Sequence, residues 1–454
     1  MPDHRRIESG FDLDVLESVE RVYDLISTGF VLFSGKVKRE IFEFANISRS
    51  ERSPVSWLRQ LFKRDQPTTE RWRVLQIEVT SRCSLRCTFC PNKSLGKNWI
   101  HGDLPWSVFS DCIAPHLARF DLAYLQGWGE PLLHPQLWEM IRATKDAGCR
   151  VGFTTCGSAL DETNGARLLD ECIDILSISF AGATPSVHES LRVGSDFRKL
   201  AANVERIARL KKSRVIARSD PERSEAESKD RDEAISKSRG GDCFAATRLA
   251  MTLPIIELHF LMMRSNIHEL PEFVRLASSI GADEVVATNV AYAPTREIEA
   301  LRVFAESPDP RHLALIGEAE REAKRRGITF RAYPLAMDAN ILECDAQPTE
   351  TAYVNHLGQV APCVYLGLPI RERAPRFFQG QERPVAPVNF GSSCLDLIAA
   401  MQGAGRAQFS GAFRSRKVSA YSALALSAAS GASEQTRLPD PPSPCRYCYK
   451  MYGI

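Results

Sequence analysis

Three cysteines stand close together in the stretch from Ser81 to Pro91. Cys83, Cys87 and Cys90 have the spacing C-x3-C-x2-C, so one short loop can present three thiolates. Thiolates are soft ligands that select zinc, copper(I) or iron–sulfur clusters. Three ligands are one fewer than the four that close a structural site, so a four-iron cluster held here would leave one iron open to a small molecule. Zinc, or three unrelated buried thiols, are the alternatives.

A Gly-Glu-Pro turn follows the next apolar segment, at Gly129 and Glu130. At the end of a barrel strand, such a turn lets the backbone come close to a ligand and presents carbonyl oxygens or a carboxylate. A loop glycine before a helix start is the alternative interpretation. The position of the turn on the strand that follows the cysteine loop favours a ligand-binding role.

A second set of cysteines lies towards the end of the sequence. The segment from Tyr353 to Val360 predicts a β-hairpin with a glycine turn. Cys344 precedes the hairpin and Cys363 follows it, and Cys445 and Cys448 form a C-x2-C pair. Four thiolates are enough to close a metal site, with iron–sulfur and zinc both open at this point. Three further thiols fall on predicted helices or strand starts and are expected in the core, and a fourth is expected to be buried; they are Cys112, Cys149, Cys172 and Cys394.

The elements that must position these residues alternate between short apolar strands and amphipathic helices. Such strand–helix units predict a parallel sheet with helices outside it, and six units make a partial barrel whose ligand end is the C-terminal end of the strands. One helix is expected to open with Asn266 as its cap and Glu269 in capping-box position. The predicted strands are Val74–Thr80, Ala123–Gly127, Arg150–Thr155, Ile173–Phe180, Ile255–Leu261 and Glu284–Thr288. The fold class is therefore α/β, a partial (β/α)6 TIM-like barrel with an N-terminal helical segment and a small C-terminal domain that carries the second set of cysteines.

The length of 454 residues predicts two or three domains. We expect an N-terminal helical extension at 1–70, a core domain at 71–330 and a C-terminal domain at 331–454. Within the core domain, 211–247 is rich in charged residues and serine and poor in large apolar ones, which predicts a disordered surface insertion. Ser415 to Pro444, rich in serine and alanine, predicts a linker.

The cysteine loop after the first strand resembles the signature of the radical S-adenosylmethionine (SAM) enzymes, and the Gly-Glu-Pro turn resembles their Gly-Gly-Glu-Pro motif. The resemblance implies that Gly129 and Glu130 contact the SAM ammonium group. It also implies cofactor contacts at Thr155, at Ser179 and, to the SAM carboxylate, at Arg192. A planar and permanently charged guanidinium suits that last partner. The chain departs from the family pattern where it has Trp128, Cys156 and Ala181, in place of a glycine, an asparagine and an aspartate.

The resemblance implies that a [4Fe-4S] cluster on Cys83, Cys87 and Cys90 binds SAM and cleaves it reductively to a 5′-deoxyadenosyl radical. The hairpin and C-x2-C pair are similar to the SPASM/Twitch extension of the family, which implies one auxiliary [4Fe-4S] cluster on Cys344, Cys363, Cys445 and Cys448. Zinc remains the alternative there. The implied function is hydrogen abstraction from a substrate in peptide or protein maturation. The alternatives are a small-molecule dehydrogenation or cofactor-biosynthesis step, or a non-catalytic iron–sulfur or zinc protein.

Composition limits the classes of partner. A net charge of +2 gives no electrostatic argument for nucleic acid or membrane, and no apolar run reaches the length of a membrane span. Thirteen cysteines without an export signal point towards metal or catalysis and a cytoplasmic location. The expected partners are a flavodoxin or ferredoxin-type electron donor, together with a peptide, protein or small-molecule substrate.

Overall fold

The computed structural model describes residues 72–218, 253–430 and 437–454. Contacts divide the chain into one unit of residues 1–70 and 411–441 and a second unit of 71–410 and 442–454. The second unit contains every candidate site residue. The predicted N-terminal helical extension lies outside the described residues, as does Cys243 in the predicted insertion.

In the described part of the chain, ten strands form one open sheet, and seven of them are parallel neighbours that run from β1 to β9. The order across the sheet is β14-β11-β10-β1-β3-β4-β5-β7-β8-β9. The predicted α/β partial barrel is confirmed, with two more parallel strands than expected, β9 and β10. The strands of this sheet are β1 (Trp72–Ile77), β3 (Phe120–Tyr124), β4 (Arg150–Thr155), β5 (Ile175–Phe180), β7 (Ile255–Met262), β8 (Glu284–Asn289), β9 (Thr329–Ala332), β10 (Thr351–Val354), β11 (Gln359–Ala361) and β14 (Gly391–Ser392). The short strands outside it are β2 (Arg86–Cys87), β6 (Arg192–Val193), β12 (Phe377–Phe378) and β13 (Gln381–Glu382).

The alternation of side chains along each strand separates the core from the polar face of the sheet. In β5, Leu176, Ile178 and Phe180 are fully buried in the main hydrophobic core. Ser177 and Ser179 point to the opposite face, because successive strand residues alternate. Polar residues of β7 stand beside them in register, with Glu257 next to Ser177 and His259 next to Ser179.

The helices connect and cover the parallel strands. They are α1 (Pro91–Ser94), α2 (Leu137–Asp146), α3 (Glu162–Asp170), α4 (Pro185–Leu191), α5 (Phe197–Arg218), α6 (Leu270–Ser279), α7 (Arg296–Ala300), α8 (Pro310–Arg326), α9 (Ser393–Gln402) and α10 (Ala404–Ser430). No helix among the described residues has the combination of length and hydropathy that a membrane crossing requires.

The predicted hairpin is confirmed, and its position adds a finding. The antiparallel strands β10 and β11 turn at Gly358, whose φ of 75° lies in the left-handed region that favours glycine. β10 also pairs in parallel with β1, the strand that leads into the cysteine loop. The hairpin that precedes Cys363 therefore extends the barrel sheet at its first edge.

Two segments are more helical than the sequence analysis expects. Helix α5 continues to Arg218, past the start of the predicted insertion at 211, and Lys211 forms an ion pair of 2.6 Å with Asp283. The predicted linker from Ser415 is helical as far as Ser430. The helical part, 415–430, is rich in alanine and contains no proline, which is compatible with a helix because alanine has the highest helix propensity.

Candidate functional site

The three cysteines of the first loop lie at the C-terminal end of β1. Cys87 belongs to β2, which pairs with β6 so that Cys87 lies opposite Arg192. Burial raises the pKa of the Cys87 thiol, and it raises the pKa of Cys90 to about 11. The nearby Arg192 guanidinium opposes this rise, because a positive charge favours the thiolate. Arg192, predicted from its position after the fourth strand, is thus placed directly against the cysteine loop.

Arg192 has unused hydrogen-bonding capacity. It is buried, with 7% of its surface exposed, and among the described residues its Nε–H has no hydrogen-bond partner. A buried donor without a partner costs free energy, so the site favours an incoming acceptor such as a carboxylate. His188, in the preceding helix α4, has its pKa lowered to about 3 by burial and by the charge of Arg192, so it stays neutral.

The Gly-Glu-Pro turn packs on the backbone that enters the cysteine loop. A Cβ atom on Gly129 would lie 2.2 Å from the carbonyl oxygen of Thr80 and 2.7 Å from that of Arg82, so only glycine fits. The backbone N–H of Glu130 donates to the same Arg82 carbonyl at 2.8 Å. The turn and the cysteine loop are therefore one packed unit.

Glu130 joins this turn to the end of the third barrel strand, β4. Its carboxylate accepts a hydrogen bond from the Thr155 hydroxyl at 2.7 Å and from the backbone N–H of Cys156 at 2.6 Å. It is almost fully buried, and burial raises its pKa well above the ordinary value. Glu130 and Thr155 are thus brought together by direct contact, beneath the turn.

Cys156 lies beside the first cysteine of the loop. Its thiol is in hydrogen-bond contact with Cys83 and lowers the pKa of the Cys83 thiol. It also donates to Ser158 Oγ at 3.3 Å. The residue that departs from the family pattern therefore places a fourth sulfur next to the three-cysteine loop.

Ser179 lies one strand further along the barrel, half-buried on the polar face. His259 is its neighbour in register on β7 and is held by Glu257, with 3.2 Å between Nε2 and the carboxylate. Ser177 donates to the same carboxylate at 2.7 Å. Neither Glu257 nor His259 is predictable from the sequence, because an isolated charged residue in an apolar strand carries no motif.

Several residues that hold the site together were also missed. Glu78 is fully buried after β1; its Oε1 accepts from the backbone N–H of Trp128 at 3.0 Å. Its Oε2 accepts from His356 Nδ1 at 2.8 Å. Asn92 donates from Nδ2 to the carbonyl of Ser81 at 2.6 Å, which ties helix α1 back to the start of the loop. Only their place within the motif region could have indicated them.

The expected capping box at Asn266 is wrong. The Asn266 side chain makes no cap; it accepts from the N–H of Met263 at 2.7 Å and donates to the carbonyl of Ala181 at 2.9 Å. The carboxylate of Glu269 accepts from the backbone N–H of Ala183 at 2.7 Å instead of bonding back to residue 266. Both side chains fix the loop after β5, where a tertiary contact takes the place of the local one.

The four C-terminal cysteines line one cavity. Cys344, Cys363, Cys445 and Cys448 share it with Tyr365 and Met451, among other residues. Burial raises the pKa of the Cys344 and Cys445 thiols well above the ordinary value and that of Cys363 to about 12, and each of these thiols is also raised by the negative charge of another cysteine of the set. Within the described ranges, no group of three or more His, Cys, Asp and Glu side chains is arranged to hold a metal ion. The sequence-predicted cysteines are brought to one place, and their role as ligands stays a prediction.

A buried arginine joins the two segments that carry these cysteines. Arg376 donates from Nη1 to the carbonyl of Pro444 at 2.9 Å, immediately before Cys445. Its Nη2 donates to the carbonyl of Tyr365 at 3.3 Å, two residues after Cys363. Arg376 therefore ties the backbone before Cys445 to the backbone after Cys363.

Comparison with known proteins supplies the family. Residues 77–218 match the sequence profile described as the Radical SAM superfamily. These residues form a radical SAM domain. The matched range contains the three-cysteine loop and all five predicted cofactor contacts, while the four C-terminal cysteines lie outside it.

The individual relatives share 12 to 30% sequence identity with the chain. The chain is 22% identical over 324 residues to the tungsten-containing aldehyde ferredoxin oxidoreductase cofactor-modifying protein of Pyrococcus furiosus, which covers 70% of this chain and 78% of that protein. It is 30% identical over 136 residues to the mycofactocin maturase MftC of Mycobacterium ulcerans, covering 30% of this chain and 36% of the relative. Among solved structures, Streptococcus suis SuiB bound to S-adenosylmethionine aligns over 81% of this chain and 79% of that chain, with a TM-score of 0.47 and 12% identity.

The remaining cysteines of the chain differ in their burial. Cys149 is buried as expected, and Cys112 and Cys172 are half-buried. The expectation for Cys394 is wrong, because it is exposed, near the start of α9, with its sulfur 2.7 Å from that of Cys112. A thiol in no recognisable pattern gave no signal of its exposure.

Proposed function

We propose that Cys83, Cys87 and Cys90 hold a [4Fe-4S] cluster whose open iron takes SAM. The observation that carries this proposal is the packing of the three-cysteine loop against the Gly129 turn, with Arg192 opposite Cys87. When bound, the cluster and SAM together supply a 5′-deoxyadenosyl radical that abstracts hydrogen from a substrate. The donor set suits this group, because three thiolates with an arginine beside them favour a cluster with one open position.

The protein's own residues would bind and orient SAM. Arg192 would satisfy its buried Nε–H with the SAM carboxylate, and the backbone at Gly129 would face the ammonium group. Glu130 and Thr155 would act from beneath, because their mutual hydrogen bond of 2.7 Å fixes the turn. Ser179 would complete the site from the polar face of β5. Such positioning matters because the radical attacks nearby C–H bonds, so the site must hold one carbon close and exclude others.

We further propose one auxiliary [4Fe-4S] cluster on Cys344, Cys363, Cys445 and Cys448. Their shared cavity supports the proposal, and zinc is the alternative because tetrahedral sulfur sites suit both. After anaerobic reconstitution, the iron content should fall from about eight to about four per chain when Cys344 and Cys363 are both replaced by alanine, as two four-iron clusters require. An unchanged iron content would defeat the auxiliary cluster.

Peptide or protein maturation is the proposed role, supported by the similarity to MftC, whose name describes a maturase. A small-molecule or cofactor-modifying step is the second candidate, because the cofactor-modifying relative covers more of this chain. We place the enzyme in the cytoplasm with a flavodoxin or ferredoxin as electron donor. All twelve cysteines within the described ranges are free thiols, which suits a reducing compartment.

The first test is the formation of 5′-deoxyadenosine. Protein reconstituted with iron and sulfide, then given dithionite and SAM, should produce it, and a Cys87→Ala variant should not. Cys172→Ala is the matched control, because Cys172 is a half-buried thiol outside both cysteine sets. A fully loaded protein that forms no 5′-deoxyadenosine would refute the proposed activity.

The second test separates the two substrate classes. The sequence on either side of the gene is searched for a short open reading frame, and a synthetic copy of the encoded peptide should change in mass when incubated with the reduced enzyme and SAM. Peptide maturation predicts that this change tracks the 5′-deoxyadenosine formed. An unchanged peptide, together with a modified small molecule from a cell extract passed through a low-molecular-weight filter, would favour the second candidate.

A further inference from the structure

Trp128 makes contacts that reach both groups of cysteines. It stands in the Gly127–Glu130 turn, and its backbone carbonyl accepts a hydrogen bond of 3.2 Å from Asn92, which follows the cysteine loop. Its indole Nε1–H donates to the carbonyl of Val364 at 3.1 Å, one residue after Cys363. One side chain thus links the SAM-binding turn to the segment that carries an auxiliary cysteine.

The indole ring continues this link into the four-cysteine cavity. Its centroid lies 5.9 Å from that of Tyr365 in an edge-on contact, and Tyr365 lines the cavity. Tyr292 and Trp99 pack on other sides of the indole, each with a centroid distance of 6.3 Å. Aromatic pairs at such distances contribute beyond simple burial and restrict the ring to one orientation.

A second connection runs through Glu78 and supports the same geometry. The carboxylate of Glu78 bonds to the backbone N–H of Trp128 through one oxygen. Its other oxygen bonds to the ring and the backbone N–H of His356, in the turn between β10 and β11, at 2.8 and 3.3 Å. The Glu78 side chain packs directly on Gly127, because a Cβ there would lie 2.4 Å from it. Glu78 therefore connects the SAM-binding turn to the turn of the hairpin, so a shift of the first would displace the second.

We propose that Trp128 is a positioning residue that transmits SAM binding at the Gly129–Glu130 turn to the backbone around Cys363. The inference rests on the proposed SAM site. Coupling between two binding sites is reciprocal. SAM binding would change the affinity of the four-cysteine site for its metal group by the same factor as an occupied four-cysteine site changes the affinity for SAM. The tryptophan that replaces the family's glycine is thereby given a role specific to this chain.

The amides of Leu366 and Gly367 provide the readout, because both donate to the carbonyl of Cys363, at 3.1 and 2.9 Å. Hydrogen–deuterium exchange of peptides that span 363–368 is measured anaerobically on the reconstituted protein, with and without SAM. SAM binding is measured separately by equilibrium dialysis with labelled SAM. In the wild-type protein we expect SAM to slow exchange of these amides by about two- to tenfold, the range that corresponds to one typical hydrogen bond.

Three variants locate the effect. Trp128→Gly removes the indole and should abolish the slowing, and Trp128→Phe keeps a ring but loses the bond to Val364 and should reduce it. Trp138→Phe is the control: it alters a half-buried tryptophan of α2 that packs on Arg167 and should leave the slowing intact. Circular dichroism and iron content establish that each variant is folded and loaded.

Each outcome decides a specific claim. If labelled SAM does not bind the wild-type protein, the proposed function itself fails. If SAM binds but exchange at 363–368 does not change, the proposed function stands and the coupling is wrong. Equal slowing in the wild-type, Trp128→Gly and Trp128→Phe proteins would also overturn the role of Trp128.

Discussion

Replacing Gly129 by alanine tests the contact between the Gly127–Glu130 turn and the cysteine loop. The added Cβ would lie 2.2 Å from the Thr80 carbonyl oxygen, short of the 3.0 Å that real contacts require. Both partners are backbone, so the two segments must separate by about 0.8 Å, and overpacking of this kind costs about 1–3 kcal/mol. The separation also strains the 2.8 Å hydrogen bond from Glu130 N–H to Arg82, worth about 1 kcal/mol. The expected loss of stability is therefore about 2–4 kcal/mol.

The assay is denaturant unfolding of the metal-free protein, with iron analysis after anaerobic reconstitution. Gly129→Ala should unfold at a lower denaturant concentration and should lose up to about four irons per chain, because the displaced segment carries Cys83. Gly317→Ala is the matched control in α8, where the nearest atom to an added Cβ is an Arg321 nitrogen at 3.5 Å. Alanine there should stabilise the helix by up to about 1 kcal/mol. Wild-type stability and full iron content in Gly129→Ala would refute the packing argument.

Three further predictions follow from individual side chains. Arg192→Gln should slow iodoacetamide alkylation of Cys87 in the metal-free protein at pH 8, because the guanidinium no longer lowers the thiol pKa; an unchanged rate would contradict the geometry. Burial raises the pKa of Glu257, but hydrogen bonds from His259 and Ser177 outweigh it and the pKa is lowered in the folded protein. The wild-type protein should therefore have a higher free energy of unfolding than Glu257→Gln above pH about 4.3, the ordinary pKa of a glutamate. This difference should vanish as the pH falls through the lowered pKa of Glu257 in the folded protein. A difference that stays constant from pH 7 to 3 would contradict the lowered pKa. Mild oxidation with diamide should link the exposed Cys394 to Cys112, whose sulfur is 2.7 Å away, and peptide mapping that finds both thiols free would dismiss that pairing.

Periodicity was sufficient to predict the barrel strands. The strand at Arg150–Thr155 has the predicted bounds, and the other five predicted barrel strands overlap the observed ones. Such strands bury apolar side chains along most of their length, so a run of apolar residues in the sequence marks where each strand lies. The three-cysteine spacing and the Gly-Glu-Pro turn were also readable, because each needs particular residue types at fixed separations.

The residues that hold the site together were not readable, for a physical reason. Glu78, Trp128 and Arg376 act through partners between 11 and 278 positions away in the sequence, and no local pattern encodes such contacts. Asn266 shows the converse error: its local pattern predicts a cap, but a long-range bond to the Ala181 carbonyl uses its side chain instead. Sequence alone could indicate which residues are chemically capable but not which of them serve as structural connections.

The central claim is that the loop of Cys83, Cys87 and Cys90 holds a four-iron cluster with one iron open to SAM. Mössbauer spectroscopy of protein reconstituted with ⁵⁷Fe, before and after SAM is added, tests it most directly. We expect one iron of the first cluster to change its isomer shift when SAM binds, and a Cys344→Ala/Cys363→Ala variant to keep this change. A loop that takes up tetrahedral zinc instead of iron, or a cluster spectrum unaffected by saturating SAM, would contradict it.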